Sequence, residues 1–421
     1  LGIVLAWALA FDDAVPVAAE AGEAIAEAET KQVAADYLSD AAYACASAGG
    51  IVPSWDLARL GLGYAGARDV AWARLVCFDY QRREAEDPDH PGIPLDTAER
   101  REAAAILRTA HLDPIGPAPM EGVFDTREEA AECSNLIVSA VWGGAYAQTL
   151  PSMEAEAREA EALGRLARAA RAWANVAFYQ TALGALAEAH CSVERADDLA
   201  ARLGMPIPTV IWTRHLLCCA LDEGWEGMAA TFSFLAASNE PALAWSRGFA
   251  YSGQAQAAGR LNRPDEAVAA IARLVPWLIE APPWTIAYPN MAYGAADALW
   301  MLERFDHGEV VERALRDKLL PADFRGMVDG RLALARLCAL TGRHDEAHRW
   351  FAEARRTLGE EGSRPLRAVC IFDEALMYAR RDGAGDPDRA RPLLAAARRQ
   401  FEEIGMTGWI RHAEELEEQL R

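Results

Sequence analysis

Lysine is nearly missing from this 421-residue chain. It stands only at Lys31 and Lys318, and neither follows glycine, so the phosphate loop G-x-x-x-x-G-K-[ST] is absent. There is no G-x-S-x-G elbow, and none of the eight histidines sits in a context that marks a nucleophile. Positive charge is short as well: the formal net charge is −21 and the sequence pI is near 4.9, which repels nucleic acid and the anionic face of a membrane. No segment reads as a DNA-recognition helix. Long hydrophobic runs are lacking too. The opening "LGIVLAWALAF" is too short to span a bilayer, ends at Asp12-Asp13, and has no initiating Met, basic flank or cleavage site. It reads as a buried helix cut from a longer chain. The eight cysteines (45, 77, 133, 191, 218, 219, 338 and 370) are widely scattered in apolar text. That pattern predicts buried thiols in a reducing, cytoplasmic compartment and no disulfide framework.

What is present is alanine, with 52% apolar and 25% charged residues, a balance that favours helix over strand and order over disorder. Acid is concentrated early: residues 1–150 hold 24 acids against 10 bases. The text also repeats. "LGALAEAHCSVERA" (183–196), "LNRPDEAVAAIARL" (261–274), "TGRHDEAHRWFAEA" (341–354) and "GDPDRARPLLAAA" (385–397) each carry a turn, a polar or acidic opening, a small residue and a helix. Weaker copies lie at 223–236 and 303–315. With Ala189, Ala229, Ala267, Gly308, Ala347 and Ala390 as markers, the spacings are 40, 38, 41, 39 and 43. A period near 40 with apolar residues at three- and four-residue steps predicts stacked helix pairs, because one pair cannot bury its own apolar stripe.

On these residues the chain resembles the tetratricopeptide repeat. Trp173, Ala177, Gly184, Ala189 and Ala196 occupy the family's large, small, turn, small and small positions, and Ala335, Gly342, Ala347, Phe351 and Ala354 do so again. The departure is a period near 40 rather than 34. Degenerate arrays of this length, together with "RREAEDPDHPGIPLDTAERRE" (82–102) and "FEEIGMTGWIRHAEELEEQL" (401–420), are similar to the helical sensor region of large bacterial signal-transduction ATPases. Those are the ATP-binding LuxR-type regulators and the cyclase-like ATPase proteins. The resemblance implies an all-α, right-handed α-α superhelix. Three parts are expected: helix pairs in 1–85 (about 14–29, 32–48, 54–66 and 69–85), a proline-rich excursion at 86–126 with a short helix near 96–110, and an array at 127–421.

Three local patterns suggest chemistry. His344 and His348 have the H-x-x-x-H spacing of zinc proteases, but Asp345 stands where the general base belongs, and the aligned repeat has Pro264 and Val268 in place of the histidines. "GLGYAG" (61–66) matches a dinucleotide fingerprint, yet "PSWDLARL" before it reads as helix, where the fingerprint needs a strand. His215, Cys218 and Cys219 share about one helical turn, in apolar surroundings. No catalytic residue, cofactor or metal is assigned to any of the three.

The expected function is therefore non-enzymatic: a sensor or scaffold that binds a protein partner or small-molecule inducer in the groove of the array, joined to an ATPase or effector domain on its N-terminal side. A free-standing adaptor and an enzyme with an unrecognised site are the alternatives. Positions 2, 5, 9 and 12 of the first helices of the pairs point to Arg171, Phe178, Thr181, Asp329, Leu332 and Arg336 as groove contacts. Trp277 and Trp284, in the proline-rich "VPWLIEAPPWTIAYPN", are candidate partner contacts. On this reading Arg336→Glu weakens binding and leaves stability nearly unchanged.

Overall fold

The computed structural model describes residues 11–47, 51–86, 97–109, 146–164, 166–203, 208–238, 247–280, 287–320 and 328–421. Among them every regular element is a helix. The first region holds α1 (Phe11–Ala28), α2 (Lys31–Ser47), α3 (Ile51–Leu62), α4 (Val70–Glu86) and α5 (Ala98–Thr109). The second holds α6 (Tyr146–Ala162), α7 (Leu166–Leu183), α8 (Leu186–Leu203), α9 (Pro208–Leu221), α10 (Trp225–Ala237), α11 (Arg247–Arg260) and α12 (Pro264–Glu280). It continues with α13 (Ala287–Met301), α14 (Gly308–Ala314, running into a π-turn at Leu315–Leu319), α15 (Gly330–Leu340), α16 (His344–Glu361), α17 (Arg364–Arg381), α18 (Asp386–Ile404) and α19 (Thr407–Gln419). Most of the expected 86–126 excursion lies outside the described residues.

The repeat is written in the backbone. A left-handed residue follows the first helix of each pair at Gly184, Asp222, Asn262, Glu303, Gly342 and Asp382, at steps of 38, 40, 41, 39 and 40. At five of the six the chain makes the same reverse turn. Ala185 N–H donates to Gln180 O, Glu223 to Cys218, Arg263 to Ala258, Arg304 to Leu299 and Arg343 to Cys338. This six-to-one bond satisfies a carbonyl the helix would otherwise leave open. The small markers follow the turns into the interior: Ala189, Ala267, Ala347 and Ala390 are fully buried, and a Cβ on Gly308 would stand 2.4 Å from the Phe305 ring. In the copy at 225–237 the marker moves, since Met228 is buried and Ala229 only half so.

The two helices of a pair differ in kind. The second helices bury one stripe: Ala347, Phe351, Ala354 and Leu358 on α16, and Ala390, Leu394, Ala397 and Phe401 on α18. The first helices α11, α13, α15 and α17 are buried almost all round, as residues 330 and 332–339 of α15 illustrate. One-sided burial marks an outer layer and all-round burial an inner one. The inner layer also closes on itself: α17 packs against α7, and α19 packs against α9 and α17.

Candidate functional site

The inner layer carries a chain of buried charges. Asp222, Arg260, Asp297, Arg336 and Asp373 alternate in sign at steps of 38, 37, 39 and 37 residues. All five side chains are less than a tenth exposed. Arg260 meets Asp297 through Nε and Nη2, at 3.2 and 2.9 Å, and its Nη1 lies 3.2 Å from Asp222. Arg336 Nη1 stands 2.9 Å from Asp297, while its Nε donates to Asp373 at 2.8 Å. Trp300 Nε1 donates to the other Asp373 oxygen at 2.9 Å. Aromatic faces cover the guanidiniums, Trp409 at 4.6 Å from Arg260 and Tyr293 at 5.2 Å from Arg336. Asp222 sits at its turn residue, whereas the later members lie 2, 6, 6 and 9 residues before theirs. The ladder thus climbs from the C-terminal end of one inner helix to the middle of the last.

Each charge is tolerable only because its neighbours are opposite and close, since removal from water costs several kcal/mol per ion. Burial raises the Asp222 pKa, but Arg260 and His412 outweigh it and hold the carboxyl at about 2. Asp297 is likewise kept below the usual carboxylate range by Arg260 and Arg336 despite its burial.

The lower end of the ladder is where α19 returns. His412 Nε2 lies 2.6 Å from Asp222 Oδ2, Trp409 Nε1 donates to Cys219 O at 3.0 Å, and Thr407 Oγ1 and Arg411 Nη1 reach Glu223 Oε1 at 2.8 and 3.0 Å. Gly408 allows the approach, because a Cβ there would stand 2.5 Å from the carbonyl oxygen of Asp222. We call this contact, made across about 190 residues, the clasp.

Beside the clasp lies a pocket of about 30 Å³, room for about two waters. His215, Cys219, Gln256, Arg260, Asn290 and Tyr293 give it a polar wall, and Leu216, Val328, Leu366, Val369 and Trp409 an apolar one. Burial pushes the His215 pKa down to about 4, so the ring is neutral near pH 7. Its Nε2 is 2.8 Å from Gln256 Oε1, and Gln256 Nε2 donates to Asp297 at 2.9 Å.

The residues singled out in the sequence are mostly interior. Phe178 packs between Tyr146 and Trp212, and Thr181 Oγ1 donates to Ala177 O at 2.7 Å. Arg171 and Leu332 are buried. Asp329 caps α15 by accepting from Arg331 N and Leu332 N at 2.8 and 2.9 Å; burial raises its pKa all the same. Arg336 is the fourth member of the ladder. All six side chains are less than a tenth exposed in this conformation, so none of them lines an open groove as the sequence suggested. Trp277 fills the gap against α11, where a Cβ on Gly248 would lie 2.6 Å from its ring. Trp284 lies outside the described residues.

The three chemical patterns also resolve into local structure. His348 Nδ1 is 2.7 Å from the buried Glu374, which also pairs with Arg355, while His344 opens α16. "GLGYAG" runs from the end of α3 into a turn whose amides at Gly66 and Ala67 donate to Gln32 Oε1. Burial raises the Cys218 thiol to about 11 and Cys219 well above its usual value, so neither is a thiolate. Among the described residues no three His, Cys, Asp or Glu side chains converge to hold a metal, and no helix is long and apolar enough to cross a membrane.

Sequence reasoning missed Asp222, Arg260, Asp297, Asp373 and His412. The signal was there, as alternating charge at a step of 37 to 39, but alignment on the turn markers scatters it because the ladder slips relative to the turns. A scan against models of known families finds no match to this chain, and no curated protein matches it.

Proposed function

We propose that the chain is a non-enzymatic binding scaffold, a right-handed superhelix of tetratricopeptide-like pairs acting as the sensor region of a larger cytoplasmic signalling ATPase or transcriptional regulator. In this reading a protein partner or inducer selects between a closed array, as seen here, and an array opened at the clasp. Opening parts the inner helices and exposes side chains such as Arg171, Phe178 and Leu332. The observation that carries the proposal is the clasp itself: polar contacts, some of them exposed, hold α19 against α9 across about 190 residues. A contact with exposed partners at Glu223 and Arg411 is weak enough to be exchanged for a ligand's contacts. The output then follows the population of the open form.

Gly408→Val, placed in the protein made from the complete reading frame, tests this. Its side chain drives α19 from the carbonyls of Leu221 and Asp222. ATP hydrolysis independent of any inducer is expected to rise several-fold over the parent. Unchanged hydrolysis in a folded variant contradicts the regulator reading, as does a reading frame that encodes no ATPase or effector domain.

A further inference from the structure

One ion pair occurs twice near the C-terminal end of the array, buried the first time and open the second. Arg355 of α16 pairs with Glu374 of α17, and at a step of 43 residues Arg398 of α18 pairs with Glu417 of α19 at 2.7 Å. Glu374 is 1% exposed, whereas Glu417 is 46% exposed. The side chains three and four residues further on differ in the same way: Met377 and Tyr378 are buried, Leu420 is half-buried and Arg421 is exposed. α18 lies along α17 and sets the Arg389 guanidinium 5.8 Å from the Tyr378 ring. α19 follows a second helix and so takes the part of a first one, yet among the described residues no second helix lies along it.

What this leaves open is a groove of about 1000 Å³ between α18 and α19. Leu394, Ala395 and Leu420 give it apolar surface, and Arg391, Arg398, Arg399 and Arg421 line it. Arg398 is engaged by Glu402 and Glu417, and Arg391 by Asp388 and the Leu420 carbonyl. The side chains of Arg399 and Arg421 are exposed and have no ion-pair partner among the described residues. In a chain of net charge −21, two uncommitted guanidiniums beside apolar surface select for an acidic occupant. We propose that this groove seats one amphipathic helix of a partner protein, in the place that α18 takes on α17, with its apolar stripe on Leu394 and Leu420 and carboxylates toward Arg399 and Arg421. The clasp uses Thr407, Trp409, Arg411 and His412 in the first half of α19, so the seat stands apart from it and its test does not depend on the sensor reading.

The probes are two synthetic helices of the length of α18, alike in a Leu/Ala stripe, one flanked by glutamate and the other by lysine, titrated into the 421-residue chain by fluorescence anisotropy. The glutamate helix is expected to saturate and, at low salt, to bind at least about tenfold more tightly than the lysine helix, a ratio that shrinks as salt rises. At saturation, amide exchange in 413–420 slows several-fold. Arg399→Glu combined with Arg421→Glu changes only exposed side chains, and it is expected to keep the fold and invert the preference. The chain without peptide is expected to sediment as a monomer. No saturable binding, equal binding of the two helices, a preference unchanged in the double variant, or slowed exchange outside α18 and α19 each overturns the proposal. So does a dimer that the double variant dissociates, which makes the occupant a second copy. Protection of 413–420 without peptide in the protein made from the complete reading frame overturns it too, by making the occupant the protein's own.

Discussion

Two sets of ion pairs in this molecule use the same residue types under opposite conditions. Between α14 and α16, Glu312, Arg316, Arg343 and Glu346 form a network whose arginines are about a third exposed. In the inner layer, Arg260 and Arg336 sit among Asp222, Asp297 and Asp373 with almost no exposure. Water can replace any partner in the first set, so its pairs are nearly interchangeable with solvent. Nothing can replace a partner in the second, so loss of one charge leaves another buried and uncompensated. The outer network decorates the array, and the inner ladder fixes how successive inner helices stand against one another.

The sharpest way to break this contrast is Asp297→Ala, which removes the carboxylate that Arg260 and Arg336 share and leaves each with one partner, Asp222 or Asp373. Chemical denaturation is expected to show a loss of about 3–5 kcal/mol. Arg336→Glu, which the sequence alone suggested would be mild, sets a third carboxylate between Asp297 and Asp373 and is expected to leave no cooperative unfolding transition. Next in size is a pH effect. The Asp222 carboxyl is depressed in the folded chain, so its contribution is present above the unfolded value near 3.8 and is lost as pH falls through about 2. At about 1.4 kcal/mol per unit this amounts to roughly 2 kcal/mol. In Asp222→Asn the fall of stability over that acid window should be correspondingly shallower. The smallest effect is expected at Arg343→Ala, a loss of no more than about 1 kcal/mol that shrinks further in high salt. A loss there equal to that at Asp297 would erase the distinction between the two networks.

Much of the helix pairing was legible in the sequence because it rests on local chemistry. Gly184 and Gly342 mark left-handed turns, Ala189, Ala267 and Ala347 mark close approach, and Asp345 and Glu346 mark a helix start. The expected helices at 14–29, 32–48, 54–66 and 69–85 lie within a few residues of α1 to α4. What could not be read was the meeting of helices distant in sequence. Gly408 looks like an ordinary small residue until Asp222 is found beneath it, and Arg171 or Leu332 looks like a groove position until the inner helices close over it. His344 and His348 looked like paired ligands, but His348 meets Glu374 from the next helix pair, a partner that no spacing within α16 reveals. Periodicity names the face of a helix but not what lies against it.

Whether the array closes on itself through the clasp is read from a double-mutant cycle between Asp222→Asn and His412→Gln. Residues 190 positions apart couple only if α19 is seated on the 222–224 turn. A coupling free energy of at least about 0.5 kcal/mol is expected at pH 6. Strict additivity of the two single substitutions would mean that α19 is not seated there in solution.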